Sequence, residues 1–233
     1  MRRATIFPIG VLLLYAAVIH AQATTITVTN TNDSGPGSLR QALVDANDGD
    51  TINFAVTGTI GLTSGELAVD KSVAVSGPGP GSLTVSRNSN TSFRIFHVMP
   101  GPTVTIAGLT IRNGAAEGAD GGGILNDQAS LTVSDCSVVN NFAGDGGGIA
   151  AHSGQNAGLT IIDSLITGNG AGRGKYASGG GVYSEVTVTI VHTTISSNSA
   201  VGALPFNFGA GGGISAGGTI INSTISNNHG KIS

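Results

Sequence analysis

The sequence predicts an all-β protein: a right-handed, single-stranded parallel β-helix with a short N-terminal capping helix. Three observations lead there. Five stretches align in register, VTIAGLTI (104–111), LTVSDCSV (131–138), LTIIDSLI (159–166), VTIVHTTI (188–195) and GTIINSTI (218–225), and their threonines Thr105, Thr132, Thr160, Thr189 and Thr219 recur after 27, 28, 29 and 30 residues. Such a period marks an internal repeat of solenoid length. Within each unit apolar residues alternate with Thr or Ser at period two and β-branched types dominate, which is a strand pattern and not a helix pattern. Three or four short strands per unit, with no helix between them, are accommodated most simply by coils whose strands lie parallel to those of the coil before.

The elements follow in chain order. Arg2 and Arg3 precede an apolar run from Ile6 to Ile19, and Ala21-Gln22-Ala23 supplies a small-x-small cleavage site, so residues 1–23 read as a secretory signal peptide. The run is broken by Pro8 and Gly10 and falls short of the ~20 residues that a membrane span needs. No transmembrane helix is expected in the mature chain. Residues 24–58 form an N-terminal cap. In it Thr25 to Thr29 alternates as a strand, and a helix is expected over 38–47, with Leu39, Ala42, Leu43 and Ala46 on one face. Ser38 with Gln41 matches a capping box, and Gly49 is expected to stop the helix. It would lie as a lid on the first coil, whose open edge would otherwise recruit other chains. Residues 59–233 are the parallel β-helix, of about six to seven coils. Its first coils are irregular, with strands at 72–77, 83–86 and 93–98, and with Pro78, Pro80, Pro100 and Pro102 at turns. The pattern stops five residues after Asn228, so the chain is expected to continue past Ser233 in a longer product.

Coils stack about 4.8 Å apart, so residues in register form columns. Leu131, Leu159 and Val188 make one apolar column, Val133, Ile161, Ile190 and Ile220 a second, and Val138, Ile166, Ile195 and Ile225 a third. Each such side chain contributes roughly 1.5–3 kcal/mol when buried. The small column Cys136, Ser164, Thr193 and Ser223 is expected where the coil bends, and the threonine ladder Thr132, Thr160, Thr189 and Thr219 points outward. Three residues beyond the third apolar column stand Asn141, Asn169, Asn198 and Asn228. Stacked amides donate and accept, and this asparagine ladder is expected at a turn in the left-handed conformation that Asn tolerates. Triple glycines at 121–123, 146–148, 179–181 and 211–213 precede Ile124, Ile149, Val182 and Ile214, and imply positive φ or close coil-to-coil approach.

The alternation of Gly-Gly-Gly-Ile with Val-x-x-Asn or Ile-x-x-Asn, four times between residues 121 and 228, resembles the GGAI and FxxN repeats of chlamydial-type polymorphic membrane proteins. Here Gly stands in place of Ala and an aliphatic in place of Phe. The segment Gly37-Ser38-Leu39-Arg40-Gln41-Ala42 resembles the CSLREA motif of bacterial surface β-helix proteins, with Gly for Cys and Gln for Glu. These resemblances imply a secreted or cell-surface β-helix associated with the outer membrane, and adhesion as in the chlamydial members. Neither motif carries a reaction.

Composition narrows the partners. Removal of the signal takes the formal charge from −3 to −5, with no basic patch, which makes nucleic acid and anionic membranes poor partners. One cysteine, Cys136, cannot form an internal disulfide and is expected as a buried apolar residue. Glycine is abundant at 38 residues, but 39% of residues are apolar and fall in columns, which favours order over disorder.

Chemistry could hide in two polar columns. Asp135 and Asp163 share one, continued by His192 and Asn222. Two stacked carboxylates could hold Ca²⁺ or divide acid and base roles; the simpler reading is a polar residue at an outward bend. Asp120 and Asp145 form the second column, each before a triple glycine. They too are Ca²⁺ candidates, although turn chemistry explains them and the nine-residue spacing of calcium-binding repeats is absent. The paired Asp-Asp and Gly-His-Gly elements of polygalacturonases do not occur, and Arg94, Arg112 and Arg173 are out of register with Asp135 and Asp163. Trp is absent and aromatics make up 4%, which lowers both glycosidase and lectin readings. Loops at 170–178 and 199–210 vary in length and carry Arg173, Lys175, Tyr176, Phe206 and Phe208. The expectation is therefore a non-enzymatic adhesin or stalk segment that binds a macromolecule, protein or polysaccharide, through variable loops. The alternative is a Ca²⁺-assisted polysaccharide lyase or glycoside hydrolase near Asp135 and Asp163.

Overall fold

The computed structural model describes residues 22–172, 176–202 and 208–231. The signal segment before Gln22 lies outside them, as do Arg173, Lys175 and Phe206. Strands of every coil pair parallel with those of the next, and they stack into long sheets. The first sheet holds eight strands, from Thr25–Val28 and Thr51–Phe54 through Ala74–Ser76, Thr103–Ala107, Ser130–Ser134, Gly158–Ile162 and Val188–Val191 to Gly218–Ile221. The second sheet holds seven, one per turn of the solenoid, from Gly58–Leu62 to Thr224–Ser226. The third holds six, from Leu67–Val69 to Ile214–Ser215, and the fourth five, from Ala115–Ala116 to His229–Gly230. This is the expected parallel β-solenoid. The repeat register holds residue for residue, since Thr105, Thr132, Thr160, Thr189 and Thr219 are successive partners in the first sheet.

The columns face as their chemistry requires. Leu131, Val133, Val138, Leu159, Ile161, Ile166, Val188, Ile190 and Ile195 are buried in one continuous core. In the last described coil Ile220 and Ile225 occupy the same columns yet are 49% and 47% exposed, because nothing described lies over them. The irregular early coils join the same sheets with shorter strands than expected: Ala74–Ser76 within 72–77 and Phe96–Val98 within 93–98, whereas Leu83–Arg87 runs one residue longer.

The N-terminal helix is shorter than expected, Leu39–Asp45. Ser38 caps it, its hydroxyl accepting from the Gln41 N–H at 3.2 Å. The capping box is half made, because Gln41 donates to Asp45 Oδ1 at 2.8 Å and not back to Ser38. The helix stops at Ala46, where the backbone turns extended, so Gly49 is not its terminator. Leu39, Ala42 and Leu43 are buried against the core, as the lid reading requires. Arg40 fastens the lid from outside. Its guanidinium pairs with Asp33 at 2.8 Å and donates to the carbonyls of Gly65 and Glu66 at 2.7 and 2.6 Å.

Two ladders of side chains run up these corners. In the small column Ser164 Oγ accepts from Cys136 N–H at 3.1 Å, Thr193 Oγ1 from Ser164 N–H at 3.3 Å and Ser223 Oγ from Thr193 N–H at 3.0 Å. Smallness is therefore only part of that column's chemistry; the hydroxyls also serve a coil whose N–H groups have left the sheet. In the asparagine ladder Oδ1 of Asn169 accepts both N–H and Nδ2–H of Asn141, and Asn198 and Asn228 repeat the pattern, all at 2.9–3.0 Å. The ladder residues are not the left-handed ones. Positive φ falls one residue earlier, at Asn113, Asn140, Gly168, Ser197 and Asn227. That residue turns the corner, and the ladder amide must point inward to reach its neighbour.

Candidate functional site

The column Asp135, Asp163, His192 and Asn222 is a backbone feature. All four have positive φ, between 45° and 49°, and Gly108 takes the same place one coil earlier at 65°. Residues with short polar side chains tolerate this region, and glycine does so at no steric cost. Asp135 and Asp163 are exposed. The column brings Asp163 Oδ1 to 3.3 Å from His192 Nδ1, with both side chains more than half exposed. His192 in turn lies 3.5 Å from Asn222.

Asp120 and Asp145 serve the glycine corner. Asp120 Oδ1 accepts the Asp145 N–H at 3.2 Å, and Asp145 Oδ1 accepts the Ser178 N–H at 2.5 Å. They form a carboxylate ladder ahead of glycines whose first member has positive φ, 70° at Gly121 and 61° at Gly146. The third glycine answers to space: a Cβ on Gly123 would stand 2.6 Å from the Gly148 carbonyl oxygen. Both expected glycine roles are thus present, at different positions of the triplet. Burial raises the pKa of Asp145, opposed by the Ser178 N–H and reinforced by Asp120.

The outer face of the third sheet gathers more titratable chemistry than either predicted column. Its strands put His97, Leu125, Ala150 and Tyr183 in one outward column, and Asp127 and His152 in the next. Glu66 precedes the first strand and binds with both oxygens, Oε1 to His97 Nδ1 at 2.9 Å and Oε2 to Arg94 Nη1 at 3.0 Å. The His97 bond holds Glu66 below the usual carboxylate range; burial opposes it and Arg94 adds to it. Asp127 stands between the two imidazoles, 3.7 Å from His97 Nε2 and 3.7 Å from His152 Nδ1. His152 Nε2 reaches Asp120 Oδ2 at 3.1 Å. The result is an alternation, Glu66, His97, Asp127, His152, Asp120, that involves four successive coils.

Two features extend this array. His97 Nε2 is buried with no hydrogen-bond partner. Glu185, held low by the Ser153 N–H at 3.0 Å, accepts from Tyr183 at 3.3 Å. Burial, followed by the charge of Glu185, raises the Tyr183 phenol. Sequence reasoning missed Glu66, Arg94, His97, Asp127 and His152 as a group, because they lie in different units and only Asp127 and His152 share an offset. Their signal was the period-two placement of His97, Asp127 and His152 around buried Phe96, Val98, Ile124 and Ile149. Among the described residues no group of three or more His, Cys, Asp or Glu side chains is arranged to hold a metal ion. No helix there is long and apolar enough to cross a membrane.

No family model matches the chain, and no curated protein matches it. The polymorphic-membrane-protein and CSLREA resemblances therefore rest on the motifs alone. Among solved structures the chain is similar to ORF18 of Geobacillus virus E2, with 13% identity and a TM-score of 0.49 over 85% of this chain and 42% of that one. It is also similar to pectate lyase Pel9A, with 10% identity and a TM-score of 0.44 over 87% of this chain and 78% of that one. The chain thus spans less than half the length of the viral protein. Both likenesses concern the backbone fold alone.

Proposed function

We propose that the chain is an exported β-solenoid, secreted or held at the cell surface in association with the outer membrane, that acts as a non-enzymatic adhesin or stalk segment binding a macromolecule along its sides. The observation that supports this reading is the bend column. Asp135, Asp163 and His192, the residues that the sequence offered for a Ca²⁺-assisted reaction, share left-handed backbone geometry with Asn222 and with Gly108, which has no side chain at all. A glycine in the series says that the column is occupied for its conformation.

A second reading, a polysaccharide lyase or glycoside hydrolase, is favoured by the carboxylates and imidazoles on the third sheet, where the pairs Glu66–His97 and Asp120–His152 lie within proton-transfer reach, at 2.9 and 3.1 Å. One assay separates the two. The purified protein is incubated with a panel of uronans and neutral glycans, with and without Ca²⁺, and reducing ends and unsaturated products are measured. The binding reading expects retention of a polymer on the immobilised protein and no product. Product formation that is lost in His97→Gln and kept in Asp163→Ala would replace it with the second reading.

A further inference from the structure

An open cleft of about 620 Å³ lies at a corner of the solenoid, lined by Arg87, Asn88, Asn90, Asn113, Asn140 and Phe142, among others. It exists because one wall of the coil starts late. From Ala115–Ala116 onward each turn adds a strand to the fourth sheet, whereas the turn that follows strand Leu83–Arg87 runs to Phe96 without one. The cleft therefore sits over the first strand of that sheet, with Gly114 and Ala115 at its base. Its volume falls in the range of small-molecule sites, about 300–1,000 Å³.

Its lining has a definite chemistry. Arg87 is fixed by backbone carbonyls, donating from Nε to Asn113 at 2.9 Å and from Nη1 to Thr91 at 3.2 Å and to Ser89. Arg40 and Arg94 each pair with a carboxylate, but among the described residues no carboxylate lies within ion-pair distance of Arg87. Asn113 and Asn140 are consecutive members of the left-handed corner column, so their amides stand one coil apart in the cleft. The Phe142 ring lies against Gly170 and Gly172, where an added Cβ would come within 3.1 and 3.4 Å of it, and borders the cleft on that side. Among the described residues no carboxylate lines the space.

We infer that this cleft binds an acidic saccharide, a uronate residue of a polysaccharide. The Arg87 guanidinium would pair with the sugar carboxylate and the asparagine amides would bond its hydroxyls. The inference rests on the binding reading above and names the ligand class and the place.

The test is calorimetric titration of the whole chain with three probes: a trimer of galacturonic acid, a trimer of galactose, and inorganic phosphate. The acidic trimer is expected to bind about tenfold or more tightly than the neutral one, as a charged hydrogen-bonded pair implies. Phosphate, which lacks the hydroxyl pattern, is expected to bind more weakly than the acidic trimer. Arg87→Gln should remove the preference for the acid. Because Arg87 also tethers its loop, Asn140→Asp is the companion variant: Asp tolerates the same backbone and places a carboxylate in the cleft, so it should lower acidic-trimer affinity about tenfold and leave the neutral trimer within about twofold. Equal affinity for the two trimers, phosphate binding as tightly as the acidic trimer, or unchanged binding in both variants overturns the inference. A chain that still retains polymer with both variants unaffected would lose this cleft and keep the binding reading. Turnover of the trimer would remove the binding reading instead.

Discussion

Replacing Asn169 with Ala tests the asparagine ladder at its most enclosed rung. The side chain is 1% exposed and makes four hydrogen bonds. Nδ2 donates to the Val138 carbonyl and to Asn198 Oδ1, both at 2.9 Å, while Oδ1 accepts the N–H and the Nδ2–H of Asn141, both at 3.0 Å. Alanine leaves the Asn141 N–H and one lone pair of Val138 stranded in the interior. A stranded buried group costs about 1–3 kcal/mol, so the substitution should cost roughly 3–5 kcal/mol, a large part of a typical domain stability of about 5–15 kcal/mol. Asn228 makes the equivalent contacts to Ile195 and Asn198 at 2.8–3.0 Å, but it is only half-buried. Water can replace its bonds there, and Asn228→Ala should cost about 1 kcal/mol. Urea titration measures both, with the midpoint moving and the slope unchanged.

Asn169→Asp separates the donor from the acceptor. A carboxylate keeps the acceptor for Asn141 and turns a second acceptor toward Val138 and Asn198. Burial without a donor raises its folded pKa above the unfolded value. The folded state then binds the proton more tightly, so the penalty is largest at neutral pH and shrinks as pH falls through the raised value. If Asn169→Ala lies within about 1 kcal/mol of wild type, or costs no more than Asn228→Ala, the ladder is not what holds the corner.

Two further outcomes follow from the geometry. Burial works to raise Asp33, but the bonds from Arg40, Ser64 and Thr63 outweigh it and hold the carboxyl well below its ordinary range; Asp50 is lowered by the N–H groups of Asn47 and Thr24. Stability from both is fully present above the unfolded value of about 3.9 and is lost as pH falls below it through the folded values. The urea midpoint should therefore drop between about pH 4 and pH 2, and Asp33→Asn should cost about 1–3 kcal/mol at pH 7 and flatten that drop; an equal drop in the variant would remove Asp33 from the explanation. Gly123→Ala should cost roughly 2–3 kcal/mol through overpacking, since its Cβ would meet the Gly148 carbonyl, whereas Gly81→Ala opens onto empty space and should be neutral or slightly stabilising. Equal thermal midpoints for the two variants would contradict the close-approach argument.

The repeat made the core legible, because inward positions recur at one offset and carry one chemistry: Val133, Ile161 and Ile190 are buried in the expected column. The ladders were legible as positions but not as bonds. Asn140 and Asn141 both belong to the corner, and which one bends the backbone depends on coil geometry that an amide spacing does not encode. The array on the third sheet was not legible as a group. Asp127 and His152 share one offset after the triple glycine, but Glu66 and His97 stand at others, in units of unequal length, and the four meet only because the strands align after loops of different size. The column Asp135, Asp163, His192 drew attention for the opposite reason. It recurs in register, because a left-handed bend favours glycine and polar side chains that tolerate it, whatever their chemistry.

The asparagine ladder is polar along the chain: each rung supplies acceptors to the coil before it and takes its own from the coil after it. During synthesis the N-terminal coils emerge first, so the most recently formed corner always waits for an amide not yet made. Its Asn N–H is satisfied only when about thirty more residues have arrived and closed the next turn. A solenoid that grows toward its C-terminus thus carries one unfinished corner at its advancing edge, whichever coil forms first, until the next turn closes it.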